Sequence, residues 1–192
     1  MSRPAVFIDR DGTLTKEVGY VNHEDRIELE EGAGQAVAKL NRLGIPVVVI
    51  TNQAGAARGY FSMEVLIKTR ERLYQLLADF GAHLDGYYYC PHHPNGIVAP
   101  YNISCDCRKP KPGMILTAAR DLDLDLKQSY MAGDKYEDLQ LAWNAGTKAI
   151  MVKTGYGLGE LTYKSADWQA QPDYIAKNLA EAVDWILSKM AI

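Results

Sequence analysis

Two carboxylates near the N-terminus are spaced for shared chemistry. Asp9 and Asp11 flank Arg10 in "VFIDRDGTL", directly after a short apolar run. Residues two apart in an extended chain face the same side, so both carboxylates point at one place and Arg10 turns away. Neighbouring carboxylates repel each other unless a cation lies beside them. The pair therefore predicts a cation site, with the Thr13 hydroxyl hydrogen-bonded back to hold it.

A third carboxylate follows another apolar run, at Asp134 in "MAGDKYEDL". Together with Asp9 and Asp11 it would complete a site of hard oxygen ligands, which Mg²⁺ prefers. An isolated "DGT" is as often a simple turn at the end of a strand, with a solvated aspartate, as it is part of a metal site. The apolar runs before both acidic groups favour the metal site, because buried strands would bring the two ends together.

The three cysteines all lie in one stretch, "CPHHPNGIVAPYNISCDCRKPKPG", residues 90–113. Three thiolates and one imidazole form a closed tetrahedral Zn²⁺ site. The four expected zinc ligands are Cys90, His92, Cys105 and Cys107. His93 is the weaker alternative to His92 as the fourth ligand. The alternatives to a metal site are three free cysteines, or one disulfide with one remaining thiol. We expect the zinc to be structural and to hold Arg108 and Lys109, which follow the last ligand, over the active site.

The elements that must position these residues alternate along the chain. Strands are predicted over 5–8, 46–51, 85–90, 129–134 and 148–155, and helices over 34–43, 62–80, 113–122, 136–146 and 178–190. Such alternation predicts right-handed βαβ units and a mostly parallel sheet. Ligands bind at the carboxyl ends of such strands, where the polar groups are found. Residues 156–175 show no clear pattern.

Composition narrows the class of protein. The chain has 192 residues, of which 47% are hydrophobic and 23% charged, which suits one domain over 1–192 with its zinc loop at 90–109. The net charge of −3 argues against a nucleic-acid or membrane surface. The first apolar run is too short for a signal peptide, so we expect a cytoplasmic protein, and a monomer by default.

Four segments resemble, in order, the motifs of haloacid dehalogenase (HAD)-like phosphohydrolases: "VFIDRDGTL", "VVITNQ", "CRKPKPG" and "MAGDKYEDL". The resemblance spans residues 5 to about 155. It implies a Rossmann-like parallel α/β sheet sandwiched by helices, and the lengths of 13–45 and 60–85 leave no room for a large cap.

The resemblance also implies roles. Asp9 would be the nucleophile that forms an aspartyl-phosphate, and Asp11 the general acid and base. Mg²⁺ would be held by Asp9, the backbone carbonyl of Asp11, and Asp134, with Asp138 supporting this shell. Thr51 and Lys109 would bind the transferring phosphoryl oxygens.

"CPHHP" and "CDCRKPKPGM" resemble the zinc-loop phosphatases of this superfamily. "EVGYV" (17–21) and "TNQAGAARG" (51–59) are more similar to the members that remove the 7-phosphate of a heptose 1,7-bisphosphate, in nucleotide-activated heptose biosynthesis, than to those that act on histidinol phosphate. The substrate-binding residues that this implies are Glu17, Gly19, Tyr20, Asn52, Gln53, Arg58, Arg108 and Lys135. The preferred anomer stays open.

Other functions compete with this interpretation. Hydrolysis of histidinol phosphate or another small phosphomonoester would use the same mechanism. A zinc-bearing binding module with an inactive phosphatase fold is disfavoured, since all three aspartates are present. A polynucleotide 3′-phosphatase should show a basic groove, which the negative net charge opposes. We therefore expect a small phosphorylated sugar as the partner, with no nucleic acid and no membrane.

Overall fold

A computed structural model describes residues 2–190 and contains a six-stranded parallel sheet of order β3-β2-β1-β4-β5-β6. The strands are β1 (Val6–Ile8), β2 (Val47–Asn52), β3 (Gly86–Cys90), β4 (Tyr130–Gly133), β5 (Lys148–Val152) and β6 (Tyr174–Ala176). The helices are α1 (Ala33–Arg42), α2 (Met63–Ala78), α3 (Gly113–Leu122), α4 (Tyr136–Ala145), α5 (Gly157–Tyr163) and α6 (Leu179–Lys189).

The central strands are buried on both faces. Every residue of β1 and β4 is buried, as are the first five of β2. Parallel strands covered by helices on both sides read as continuous apolar runs, which explains "VFI" and "VVVIT". Ile8, the last residue of β1, lies opposite both Val49 and Ala132, so the carboxyl ends of the three strands lie at the same edge of the sheet.

Helices cover both faces of this sheet. One core includes Val37 of α1 and Ile186 of α6, and the other includes Ile115 of α3 and Leu139 of α4. Complementary apolar sides on the helices and strands hold the three layers together. The predicted Rossmann-like fold, with helices on both sides of a parallel sheet, is confirmed.

The stretch 156–175, where the sequence showed no pattern, contains α5 and most of β6. Both elements are short, with seven and three residues, so neither gives a readable period. Strand β5 ends at Val152 rather than at the predicted 155. Residues 153–156 are therefore free to form a loop at the carboxyl edge of the sheet.

No cap domain interrupts the fold within residues 2–190. The segment 13–45 contains only a short 3₁₀ turn and α1, and 60–85 contains only α2. The expected absence of a large cap is confirmed for this part of the chain. None of the described helices is both long and apolar enough to cross a bilayer.

Candidate active site

Side chains from three strand ends meet at one cavity of about 260 Å³. Asp9 follows β1, Thr51 and Asn52 end β2, and Lys135 and Asp138 follow β4. All of the predicted catalytic and substrate-binding residues border this cavity except Arg58. The parallel register thus produces the convergence that the sequence predicted.

Three buried carboxylates lie beside the cavity. Asp9, Asp134 and Asp138 each offer an oxygen within 4.8 Å of the other two. Burial raises the pKa of Asp134 to about 8, and raises that of Asp9 to about 6 against the opposing charge of Lys109. Asp134 Oδ1 is buried without a hydrogen-bond partner, while Oδ2 accepts from the Tyr156 amide at 2.8 Å.

An orphaned carboxylate oxygen facing other carboxylates fits a hard divalent cation such as Mg²⁺. Asp138 differs from the other two carboxylates because protein donors already engage both its oxygens. Oδ1 accepts from Lys109 Nζ at 2.6 Å and Oδ2 from the Lys135 amide at 3.1 Å. Its geometry suits support of the metal shell. Asp9 and Asp134 are each engaged by a protein donor at one oxygen, which leaves their other oxygens available as ligands.

Lys109 is 5% exposed and lies between two of these acids. Its Nζ is 2.8 Å from Asp9 Oδ1 and 2.6 Å from Asp138 Oδ1. Burial by itself opposes the charge on this ammonium, but the carboxylates of Asp138 and Asp9 raise its pKa. Lys109 therefore stays a cation beside Asp9, the predicted nucleophile, where a phosphoryl group would gather negative charge.

Arg10 does not turn away, contrary to the sequence-based expectation. It is 1% exposed, and its guanidinium forms two hydrogen bonds to the Asp11 carboxylate. Nη1 also donates to the Tyr87 hydroxyl at 3.2 Å, and Gln53 Nε2 donates to Asp11 Oδ2 at 2.8 Å. The chain turns directly after Asp9, so the strict alternation of an extended strand fails at this point.

The expected bond from Thr13 is also absent, since its buried hydroxyl has no partner among the described residues. Thr15 takes that place: its hydroxyl donates to the Arg10 carbonyl at 3.1 Å and lies 3.5 Å from Asp11 Oδ1. The tight turn at Gly12, with φ of 84°, brings the later threonine back to the aspartate.

Asn52 anchors the zinc loop to the sheet. Its Oδ1 accepts from the Lys109 amide at 3.1 Å, and its Nδ2 donates to the Lys109 carbonyl at 3.4 Å. Gln53 Nε2 also donates to Thr51 Oγ1 at 2.9 Å. These bonds position the basic loop residue over β2, and direct contact of Asn52 or Gln53 with substrate stays a prediction.

The outer wall of the cavity combines charged and aromatic side chains. Lys135 Nζ is 3.8 Å from Glu17 Oε2 and 4.4 Å from the centre of the Tyr156 ring. Burial raises the pKa of Glu17, whose carboxylate also accepts from the Gly19 amide at 2.6 Å. At the mouth, the Tyr20 ring packs edge-on against Tyr60, with centroids 4.6 Å apart.

The loop after β5 is a part of the site that sequence reasoning missed. Besides the Tyr156 amide, it supplies Thr154 Oγ1, which donates to the Gly12 carbonyl at 2.6 Å. A Cβ on Gly155 would lie 2.3 Å from Asp134 Oδ2. The predicted strand over 148–155 ends at the same edge of the sheet as the other strands. That position was the available signal that the residues following it could contribute to the site.

The four expected zinc ligands come together at the end of β3. The three pairs of Sγ atoms are 3.2, 3.2 and 3.4 Å apart, and His92 Nδ1 is 3.3 Å from Cys107 Sγ. Three sulfurs and one imidazole nitrogen in one cluster fit a closed Zn²⁺ site. The alternative ligand His93 lies outside the cluster.

The parallel fold, the buried aspartates and the lysine between them define a HAD-like phosphatase. A model of the family described as polynucleotide kinase 3 phosphatase matches residues 5–138, and a HAD-hydrolase-like model matches residues 106–182. A solved D,D-heptose 1,7-bisphosphate phosphatase from B. bronchiseptica, complexed with magnesium and phosphate, superposes with a TM-score of 0.86 at 32% identity. The match covers 97% of this chain and 99% of that chain.

Curated relatives narrow the family. A D-glycero-D-manno-heptose-1,7-bisphosphate 7-phosphatase from Thermosynechococcus vestitus is 46% identical over 100% of this chain and 99% of its own length. A D-glycero-beta-D-manno-heptose-1,7-bisphosphate 7-phosphatase from Yersinia pestis is 43% identical over 94% of this chain and 93% of its own length. The chain belongs to this family of heptose-bisphosphate 7-phosphatases.

Proposed function

We propose that this protein is a Mg²⁺-dependent phosphatase that removes the 7-phosphate of D-glycero-D-manno-heptose 1,7-bisphosphate, in nucleotide-activated heptose biosynthesis. The observation that carries the proposal is Asp9, a buried carboxylate held between Lys109 and the unpartnered oxygen of Asp134. It lies in a chain that matches phosphatases of this name along nearly its whole length.

The reaction would proceed in two displacements. Asp9 attacks phosphorus while the sugar 7-oxygen leaves with a proton from Asp11, and an aspartyl-phosphate forms. Asp11 then takes a proton from the water that attacks this intermediate, and phosphate is released. Lys109 and Thr51 bind the phosphoryl oxygens, so charge that develops during transfer meets fixed donors.

The metals would have separate tasks. Asp9, Asp134 and the Asp11 carbonyl would hold Mg²⁺, which offsets the repulsion between the nucleophile and the phosphoryl oxygens. The cysteine and histidine cluster would hold Zn²⁺ with no open position, and so fix the loop that carries Lys109.

The walls of the cavity suit a single phosphorylated sugar. Glu17, Gly19 and Tyr20 would contact the sugar, while Arg108 and Lys135 would compensate its charge. A volume of about 260 Å³ favours a small phosphomonoester over a polynucleotide end. We extend the proposal to a single-domain, monomeric, cytoplasmic enzyme without a nucleic-acid partner.

The test is phosphate release from both anomers of the heptose bisphosphate, beside histidinol phosphate and a 3′-phosphorylated oligonucleotide, each with and without Mg²⁺. We expect Mg²⁺-dependent release of one phosphate from the heptose, and the better anomer would be identified in the same assay. Preference for histidinol phosphate or the oligonucleotide would keep the mechanism and overturn the substrate.

A further inference from the structure

The half-exposed ring of Tyr156 lies where the catalytic cavity meets two open depressions of the surface. One depression, of about 510 Å³, is bordered by Glu17 and Gly155. The other, of about 670 Å³, runs along α5 and is bordered by Tyr136 and Trp168; we call it the α5 depression. Among the described residues, Tyr156 alone borders all three spaces, so its side chain is the partition between them.

The backbone that carries this ring is held on both sides. The Tyr156 amide donates to Asp134 Oδ2 at 2.8 Å, and the Tyr156 carbonyl accepts from the Glu160 amide at 2.9 Å, at the start of α5. The next residue, Gly157, has no room for a side chain, since an added Cβ would lie 1.7 Å from the Val152 carbonyl oxygen. Position 156 therefore cannot move away from the cavity without breaking contacts to the edge of the sheet.

The ring also holds a positive charge at the catalytic cavity. Lys135 Nζ lies 4.4 Å from the centre of the Tyr156 ring, a cation–π contact, and 3.8 Å from Glu17 Oε2. Lys135 borders both the catalytic cavity and the α5 depression, which Glu160 and Asp167 also border. Without the ring, the ammonium would be free to turn toward these carboxylates and away from the phosphate of a substrate.

The far wall of the α5 depression is aromatic. Trp168 stacks on Tyr136, with ring centroids 4.9 Å apart and an angle of 13° between the planes. The Tyr136 hydroxyl accepts from the Gln169 amide at 2.9 Å, which fixes this wall. A flat hydrophobic group would find extensive contacts there, whereas the hydroxyl groups of a sugar gain most from the polar walls of the catalytic cavity. Tyr156 thus separates two spaces that suit different substrates.

We propose that Tyr156 is a specificity-determining residue, whose ring closes the catalytic cavity toward the α5 depression and so excludes phosphomonoesters with a bulky leaving group. The cavity of about 260 Å³ accepts a compact sugar, and a group that projects beyond it on this side meets the ring. Removal of the ring joins the two spaces, and a difference of a few buried carbon atoms changes kcat/KM by about 10-fold or more. The inference rests on the proposed function, because it states what limits the substrate of the same site.

The experiment compares 4-nitrophenyl phosphate with 4-methylumbelliferyl phosphate, whose leaving groups have similar acidity and different size, beside the heptose bisphosphate. We would measure kcat/KM for the wild type, Tyr156→Ala and Tyr156→Trp. Tyr156→Phe keeps the ring. Tyr163→Ala is the matched control, because this tyrosine of α5 is 84% exposed and borders none of the three spaces. The Mg²⁺ dissociation constant of each variant reports whether the contact to Asp134 is kept.

We expect Tyr156→Ala to raise the ratio of kcat/KM for the larger aryl phosphate to that for the smaller one about 10-fold. The same change should lower kcat/KM for the heptose bisphosphate, as Lys135 loses its support. Tyr156→Trp should lower the ratio, while Tyr156→Phe and Tyr163→Ala should keep the wild-type ratio.

An unchanged ratio in Tyr156→Ala would overturn the inference, and so would an equal rise in Tyr163→Ala. Should Tyr156→Ala lose Mg²⁺ binding, an unchanged ratio in Tyr156→Trp overturns the inference instead. A wild-type enzyme that hydrolyses the aryl phosphates but not the heptose bisphosphate would overturn the proposed function. The ratio of the two aryl phosphates would still test the partition.

Discussion

The guanidinium of Arg10 lies along the carboxylate of Asp11, with Nε 2.9 Å from Oδ1 and Nη2 2.8 Å from Oδ2. A two-point contact fixes both the position and the rotation of the carboxylate. The Tyr87 hydroxyl, on β3 beyond β2 in the sheet, accepts from the same guanidinium. Asp11, the expected general acid and base, is thus held by Arg10, which the alternation of an extended strand predicted to point away from it.

Replacing Arg10 by Lys keeps the charge and removes the two-point contact, because an ammonium is a point donor. We expect kcat to fall about 10- to 100-fold with little change in KM, as for loss of an interaction made in the transition state. A misplaced general acid matters less for a good leaving group, so 4-nitrophenyl phosphate should lose less activity than the sugar. Equal losses on both substrates would indicate a purely structural role. Tyr87→Phe, which removes one bond of Arg10, should show a smaller effect.

Replacing Asp9 by Asn removes the proposed nucleophile but preserves the size of the side chain. We expect phosphate release to fall by more than about 10³-fold, because the covalent route is lost. The far-UV circular dichroism spectrum should match that of the wild type. Substantial turnover by this variant would contradict the aspartyl-phosphate mechanism.

Proton binding by Asp134 predicts how stability depends on pH. Burial raises its pKa to about 8 from an ordinary value near 3.8, so the folded chain retains a proton that the unfolded chain has released. In Mg²⁺-free buffer the free energy of unfolding should fall as pH rises from about 4 to about 8, and added Mg²⁺ should oppose the fall. Urea unfolding at several pH values measures this slope. Asp134→Asn should remove the slope above about pH 6, while Asp9, whose pKa is raised to about 6, still contributes below it. An unchanged slope above pH 6 would refute the assignment.

Removal of a zinc ligand should abolish zinc binding without abolishing Mg²⁺ binding. Cys107→Ser leaves three ligands and frees the segment that carries Lys109, so we expect loss of zinc and a large fall in kcat. Mg²⁺ binding, followed by calorimetry, should persist because Asp9 and Asp134 belong to the sheet edge. Ser104→Ala, in the same loop, should retain zinc and activity. Full activity of a zinc-free Cys107→Ser protein would show that the metal is dispensable.

Gly155 gives a test of the loop that the sequence did not indicate. Its φ is 55°, and an added Cβ would come within 2.5 Å of Gly12 Cα as well as against Asp134. We expect Gly155→Ala to destabilise the fold by about 1–3 kcal/mol and to weaken Mg²⁺ binding. Gly159→Ala, in α5 with open space around it, is the matched control and should be neutral or slightly stabilising. Equal behaviour of the two variants would contradict close packing at Asp134.

The sequence located most of the fold because its central strands are uninterrupted apolar runs and its long helices are amphipathic. It failed for α5 and β6, since elements of seven and three residues carry too little periodicity. It also failed for Thr13, because the turn at Gly12 redirects the chain and gives the bond to Thr15. Local pattern cannot register a change of direction made by a single residue.

The sequence by itself identified the groups that could carry the proposed chemistry: the two aspartates in "DRDGT", the lysine after the last cysteine, and the four candidate zinc donors. These residues lie in short segments, and strand ends in a parallel sheet must share one edge. Only the tertiary structure decided which groups support them. Arg10 and Tyr87 are 77 positions apart, Thr154 and Gly12 are 142 apart, and Arg58 and His93 are 35 apart. Such pairs are made by the packing of loops from different strands, which leaves no local signal in the chain.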